Sequence, residues 1–129
     1  DYKIEGVDYE VIQWNSDNEI EDLNKIDIGI YPLIDSKWVL GKSGLKALQY
    51  MALGIPTVAT NYGNIKNIIT NNLNGYLVNN REEWIRILTK LCDDIDLRNY
   101  VGKNGRKHIE KFYSVDAISK KYLNVINNL

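Results

Sequence analysis

The sequence predicts an α/β protein in which about four parallel strands are wound with flanking helices and followed by a helical carboxyl-terminal part. Three observations predict it. Asp27–Leu33 (DIGIYPL) and Pro56–Thr60 (PTVAT) are short β-rich apolar runs, of the kind a parallel sheet buries on both faces. Between them, Gly41 and Gly44 bracket a loop that opens a stretch of helical apolar spacing. From Asn80 onward the segments are helical, with Asn80 and Ser114 as capping residues.

Taken in order, Tyr9–Trp14 reads as the first strand, apolar at Tyr9, Val11 and Ile12 and ending in an aromatic. Asn15, Ser16 and Asp17 supply capping chemistry for a short acidic helix over Asn18–Asn24, with Ile20 and Leu23 inward. Asp27–Leu33 is the next strand, stopped by Pro32. The helix after Gly44 takes Leu45, Ala47, Leu48, Met51 and Ala52 as its apolar face, and Gly54 and Pro56 close it. Past the Pro56 strand, a helix is expected from about Ile65 to Thr70. Asn71–Gly75 then turns the chain into a short strand, Tyr76–Val78. Asn80 caps a helix whose Glu82 and Glu83 suit its positive end, with Trp84, Ile87, Leu88 and Leu91 inward. Asp94–Phe112 is a further helix crossed by Gly102 and Gly105. Ser114 caps the last, which sets Ile118, Tyr122 and Val125 on one side.

Length and composition narrow the function. A chain of 129 residues, 44% hydrophobic and 26% charged, is large enough for one domain with a core but not for two. A net charge of −1 gives no electrostatic case for nucleic acid or an anionic membrane. The single cysteine, Cys92, excludes an internal disulfide and a cysteine metal cluster, and one histidine argues against zinc. Cys92 lies in an apolar helical run and is expected to be a buried packing residue. No apolar run approaches 18 residues and no leader is visible, so the expected setting is reducing and cytoplasmic.

The candidate site is Gly41–Thr60. Gly41 and Gly44 let the backbone around Lys42 and Ser43 approach a ligand closely, and the helix they open presents free N–H groups suited to an anion such as phosphate. Lys42, Lys46 and Gln49 fall at i, i+4 and i+7. The stripe is either the solvated side of the helix or the lining of a cleft, with Lys42 near phosphate and Gln49 near hydroxyls; spacing leaves both open. Trp14, Leu33 and the Gly41 loop are all expected at carboxyl ends of strands, where ligands of such sheets bind. Trp14 either stacks on a ring or wedges a loop, whereas Trp38 is expected to wedge against the core. His108, among basic neighbours, is expected to be a satisfied or solvated surface residue.

The stretch resembles the nucleotide-sugar-binding segment of group 1 (family 4) glycosyltransferases of the GT-B fold. Aligned on Gln49–Pro56 (QYMALGIP), the chain supplies Gly44, Met51, Ala52, Gly54, Pro56, Val58 and Ala59 at matching places. The N-G-Y-L-V run at Asn74–Val78 and the Y-S step at Tyr113–Ser114 are further points of likeness. Two positions depart from the pattern: the family's second glutamate is Gln49 here, and its first is Gly41. The substitutions remove a carboxylate at each place and bear on sugar selectivity.

The resemblance implies a Rossmann-like donor-nucleotide-binding lobe, present in part over 1–129, with the acceptor-binding amino-terminal lobe absent from this chain. It implies transfer of a sugar, of hexosyltransferase type, from a UDP- or GDP-sugar to a glycan or lipid-linked acceptor, with retention of configuration. The isolated fragment is expected to be inactive. Gly41, Lys42, Ser43, Gly44 and Leu45 would serve phosphate and sugar, Gln49 the ribose, and Trp14 the base. No catalytic acid or nucleophile can be named, no metal or cofactor is required, and peripheral association of the full-length protein with the inner face of the membrane is compatible with such an acceptor. An epimerase or phosphorylase of similar lobe, or a non-catalytic interaction module, are the other readings.

Overall fold

Thr57–Thr60 forms the central strand of a three-stranded parallel sheet, and its side chains explain why the sheet is covered on both faces. In the computed structural model, which describes residues 4–128, this strand (β2) lies between β1 (Gly29–Tyr31) and β3 (Tyr76–Val78). The register pairs Ile30 with Val58 and Ala59 with Leu77. Alternate residues of a strand face opposite ways. Val58 joins Tyr76, Val78, Ile87, Leu91 and Val101 in one core, and Ala59 joins Ala47, Met51, Ile65, Ile68 and Ile69 in the other.

Helix α3 (Leu45–Ala52), reached from β1 through the short helix α2 (Lys37–Leu40), supplies Ala47 and Met51 to the second core. A 3₁₀ turn over Gly63–Asn67 adds Ile65 to it. The first core is closed by α4 (Arg81–Asp93), through Ile87 and Leu91, and by Val101 of α5 (Ile95–Phe112). Further along α5, Ile109 reaches the other core, so this helix packs with both. Gly102 and Gly105 let α5 come close to the backbone: a Cβ at Gly105 would lie 3.2 Å from the Asn74 carbonyl, and one at Gly102 would overlap that of Gly54. Arg106 donates to the Ala52 carbonyl at the carboxyl end of α3, where a cation also suits the helix dipole.

Three helices start as their capping residues dictate. The side chains of Asn80, Asp94 and Ser114 accept from Glu83, Leu97 and Ala117 N–H groups respectively. Glu83 reaches back to accept from the Asn79 N–H at 2.7 Å and from its Nδ2 at 3.0 Å, which holds the Glu83 carboxyl below its usual range. The turn before β3 is fixed by Asn74, which is 3% exposed. Its Oδ1 accepts from Thr70 N at 2.7 Å and its Nδ2 donates to Ile68 O at 3.3 Å. Asn74→Ala leaves both backbone groups without these partners and is expected to lower stability by about 2 kcal/mol, readable in urea unfolding.

Several expectations are corrected. The sheet has three strands among the described residues, since Tyr9–Trp14 forms none; its residues are exposed. β-favouring side chains do not make a strand without a neighbour to complete the ladder. In α1 (Glu19–Leu23), Ile20 points outward at 66% exposure, and the amino-terminal cap position is Asn18, which makes no side-chain capping bond. The expected helix at 65–70 is the earlier 3₁₀ turn Gly63–Asn67. Trp38 sits on α2 at 82% exposure rather than wedged against the core. Cys92 is exposed, because the inward side of α4 is taken by Ile87 and Leu91. The last helix, α6 (Val115–Asn127), carries exposed Ile118, Tyr122 and Val125. Asp1–Lys3 and Leu129 lie outside the described residues. No helix among the described residues is long and apolar enough to cross a membrane.

Candidate functional site

Because the sheet is parallel and α3 carries the chain back from the end of β1 to the start of β2, the amino end of α3 lies at the carboxyl ends of the strands. The loops after β1 and β2 are tied together there. Asn64 Nδ2 donates to Ser43 O at 3.0 Å, and Leu33 N donates to Thr60 Oγ1 at 2.9 Å. The neighbouring Asp35 carboxylate holds the Tyr62 pKa above its usual value.

Gly44 is the cap residue of α3, with φ 85°, and no side chain caps the helix. The first-turn N–H groups of an α-helix have no partner within the helix. One side of this helix head is closed, since Gly44 packs against Ile65 and Ile68. The other side is open: Lys42, Ser43, Leu45 and Lys46 are exposed. Leu45 is 58% exposed and belongs to the head rather than to the core, which corrects its expected place on the apolar face. Lys42 precedes the helix, so the helical stripe of Lys42, Lys46 and Gln49 begins only at Lys46. Gly41 is the carboxyl cap of α2 and shares a cavity of about 370 Å³ with Lys37, Trp38 and Lys42.

Gln49 and Trp14 are brought together by a residue that sequence reasoning left unassigned. Glu19, at the start of α1, accepts from Trp14 Nε1 at 3.2 Å and from Gln49 Nε2 at 3.0 Å. Lys46 Nζ lies 3.8 Å from the same carboxylate oxygen. Gln49 Oε1 is enclosed and has no hydrogen-bond partner. Trp14, 65% exposed, lines a second cavity of about 430 Å³ with Asn15, Glu19 and Lys46. The only local sign of Glu19 in the sequence is an acid five residues after an aromatic, which resembles any solvated helix end.

His108 lies elsewhere, on α5 near its carboxyl end. It is half-buried with its Nε2 enclosed and unpartnered, neither satisfied nor solvated as expected. Burial, then Lys111, holds its pKa below the usual imidazole value. Among the described residues no three His, Cys, Asp or Glu side chains gather as a metal site would need.

Comparison with known proteins gives concordant results. The sequence model of a family described as "Glycosyl transferases group 1" matches residues 6–108. Over 71 residues the chain is 37% identical to a D-inositol 3-phosphate glycosyltransferase of Paenarthrobacter aurescens, covering 54% of this chain and 17% of that protein. Over 84 residues it is 32% identical to an uncharacterized glycosyltransferase of Methanocaldococcus jannaschii, covering 64% of this chain and 22% of that protein. Among solved structures, it superposes on the C-terminal domain of a glycosyl transferase group 1 family protein (LpcC) from Francisella tularensis. There the TM-score is 0.64 at 28% identity, over 81% of this chain and 53% of that one. The chain thus spans about a fifth of the length of these curated relatives.

Proposed function

This chain belongs to the group 1 glycosyl transferases, and from that premise we propose that it forms part of the donor-binding lobe of an enzyme that transfers a sugar from a nucleotide-diphosphate sugar. The acceptor is a glycan or lipid-linked molecule held by a lobe outside this chain, and the configuration is retained. In this reading the diphosphate sits at the head of α3, against the backbone and side chains of Gly41, Lys42, Ser43, Gly44 and Leu45. The nucleoside lies on the side of Trp14 and Gln49. UDP- and GDP-sugars are the donors to test.

What supports the reading is one observation: an uncapped helix head, open on the side of Lys42 and Ser43, lies at the carboxyl ends of a parallel sheet. Helix-end N–H groups and the Lys42 and Lys46 ammonium groups would stabilise the charge that develops on the diphosphate as the glycosidic bond breaks. Fixed donors at that position act on the leaving group without reorganising, so protein groups alone can supply the electrostatics. The full-length protein would act in the cytoplasm, at the inner face of the membrane where its acceptor is lipid-linked.

The test is calorimetric titration of UDP, GDP and their sugars into the full-length protein, followed by product analysis. Net transfer of the sugar to an acceptor would exclude epimerisation, and absence of any nucleotide binding would favour a non-catalytic module. Lys42→Ala is expected to weaken binding of the diphosphate by about 1.5–3 kcal/mol, the usual range for a hydrogen bond to a charged group.

A further inference from the structure

Side chains from three parts of the chain meet at one atom. Glu19 Oε1 takes the hydrogen bonds of Trp14 Nε1 and Gln49 Nε2 and lies 3.8 Å from Lys46 Nζ. The partners are five and thirty residues distant for Trp14 and Gln49, so this is a tertiary arrangement and not a pairing along one helix face. Gln49 holds Glu19 with its amide nitrogen while its own Oε1 stays enclosed and without a partner. Turning the amide over would place two acceptors face to face, so the Glu19 bond fixes its orientation.

All of these contacts fall on Oε1. The second oxygen, Oε2, is the one left to accept from a ligand, and Glu19 lines the cavity of about 430 Å³ beside Trp14, Asn15 and Lys46. A carboxylate whose rotamer is fixed by donors on one oxygen is pre-organised to accept on the other. Lys46 lies in the first turn of α3 and on this cavity's wall, which joins the cavity to the proposed diphosphate position. A ligand spanning both would have an anionic end, then hydroxyl donors, then a ring that can lie against the indole of Trp14.

We infer that Glu19 is the acceptor for the vicinal hydroxyls of the donor nucleotide's ribose, that Gln49 is a positioning residue that orients its carboxylate, and that Trp14 forms the wall beside the base. This rests on the proposed donor-binding function. Gln49 then acts on the ribose through Glu19, to which one of its amide N–H groups is committed while its oxygen is enclosed.

The experiment is calorimetry on the full-length protein with UDP and GDP, their 2′,3′-dideoxy counterparts and inorganic pyrophosphate. The wild type is expected to prefer the ribonucleotide by about 10- to 100-fold, the range of a hydrogen bond to a charged group. Glu19→Gln, of equal size, is expected to reduce that preference to a few-fold while pyrophosphate affinity and the unfolding midpoint stay unchanged. Gln49→Leu is expected to reduce it by a smaller factor. Full preference retained in Glu19→Gln, loss of pyrophosphate binding in that variant, or a wild type that does not distinguish the two sugars would each overturn the assignment of Glu19 while leaving donor binding in place. A wild type that binds neither UDP nor GDP would instead overturn donor binding, and the assignment with it.

Discussion

Gly102→Ala is expected to lower the stability of the domain by about 3 kcal/mol or more, the largest effect of any single methyl group considered. The added carbon would overlap the backbone carbonyl of Gly54 and meet Pro56 Cδ at 3.5 Å. The carbonyl belongs to the turn that ends α3 and starts β2, so it cannot swing aside as a side chain would. Relief requires α5 to move away from α3, and with it Val101, which is fully buried in the core shared with β2, β3 and α4. Urea unfolding reads the loss directly. A change below about 0.5 kcal/mol, the range of an unremarkable surface substitution, would show that α5 does not pack as described.

Gly44→Val is expected to act on stability and on ligand binding together. The backbone there has φ 85°, a conformation that costs a β-branched residue about 2 kcal/mol. Its Cβ would also stand 2.7 Å from Ile68 Cδ1 and 3.4 Å from Ile65 Cδ1. A side-chain tip can yield, so the steric part is smaller than at Gly102. The larger consequence is for the helix head: a residue that leaves the left-handed region re-aims the N–H groups that follow. Nucleoside diphosphate affinity is expected to fall at least about tenfold, or 1.4 kcal/mol. Gly41→Ala is the control. Its Cβ would meet only the Trp38 carbonyl at 3.6 Å, an ordinary contact, and Gly41 has an unstrained φ of −80°. Its stability is expected to stay within about 0.5 kcal/mol of wild type.

The two glycines illustrate what the sequence disclosed and what it withheld. Gly44 was legible because its role is local: a glycine before a helical apolar run marks a helix opening whatever surrounds it. The caps Asn80 and Ser114, the strands at β1, β2 and β3, and the inward residues Ile87 and Leu91 were legible for the same reason. Gly102 stood out in the sequence only as a glycine inside a helix. Its purpose is a close approach to Gly54, which no local pattern encodes.

The misses follow the same division. Residues 9–14 have the side chains of a strand, but a strand also needs a neighbouring strand to complete its ladder, and the described sheet comprises only β1, β2 and β3. Trp38 has a core-favouring side chain and Cys92 lies in an apolar run, yet both sit on the outer sides of their helices. At the site, the loop Gly41–Leu45 could be read as a continuous segment. Glu19 could not, because its place beside Gln49 depends on how α1 meets α3 across a sequence separation of 30 residues. A carboxylate at the start of an acidic helix has a ready local explanation as a dipole partner, and that explanation hides the tertiary one.

The open side of the α3 head is expected to receive a diphosphate. A crystal structure of the full-length protein with bound UDP or GDP tests it most directly. Phosphate oxygens are expected within hydrogen-bonding distance of backbone N–H groups in the segment 43–46, with the Lys42 ammonium beside them. A nucleotide bound with its phosphates at the amino ends of the strands, or with the N–H groups of that segment still solvated, would contradict it.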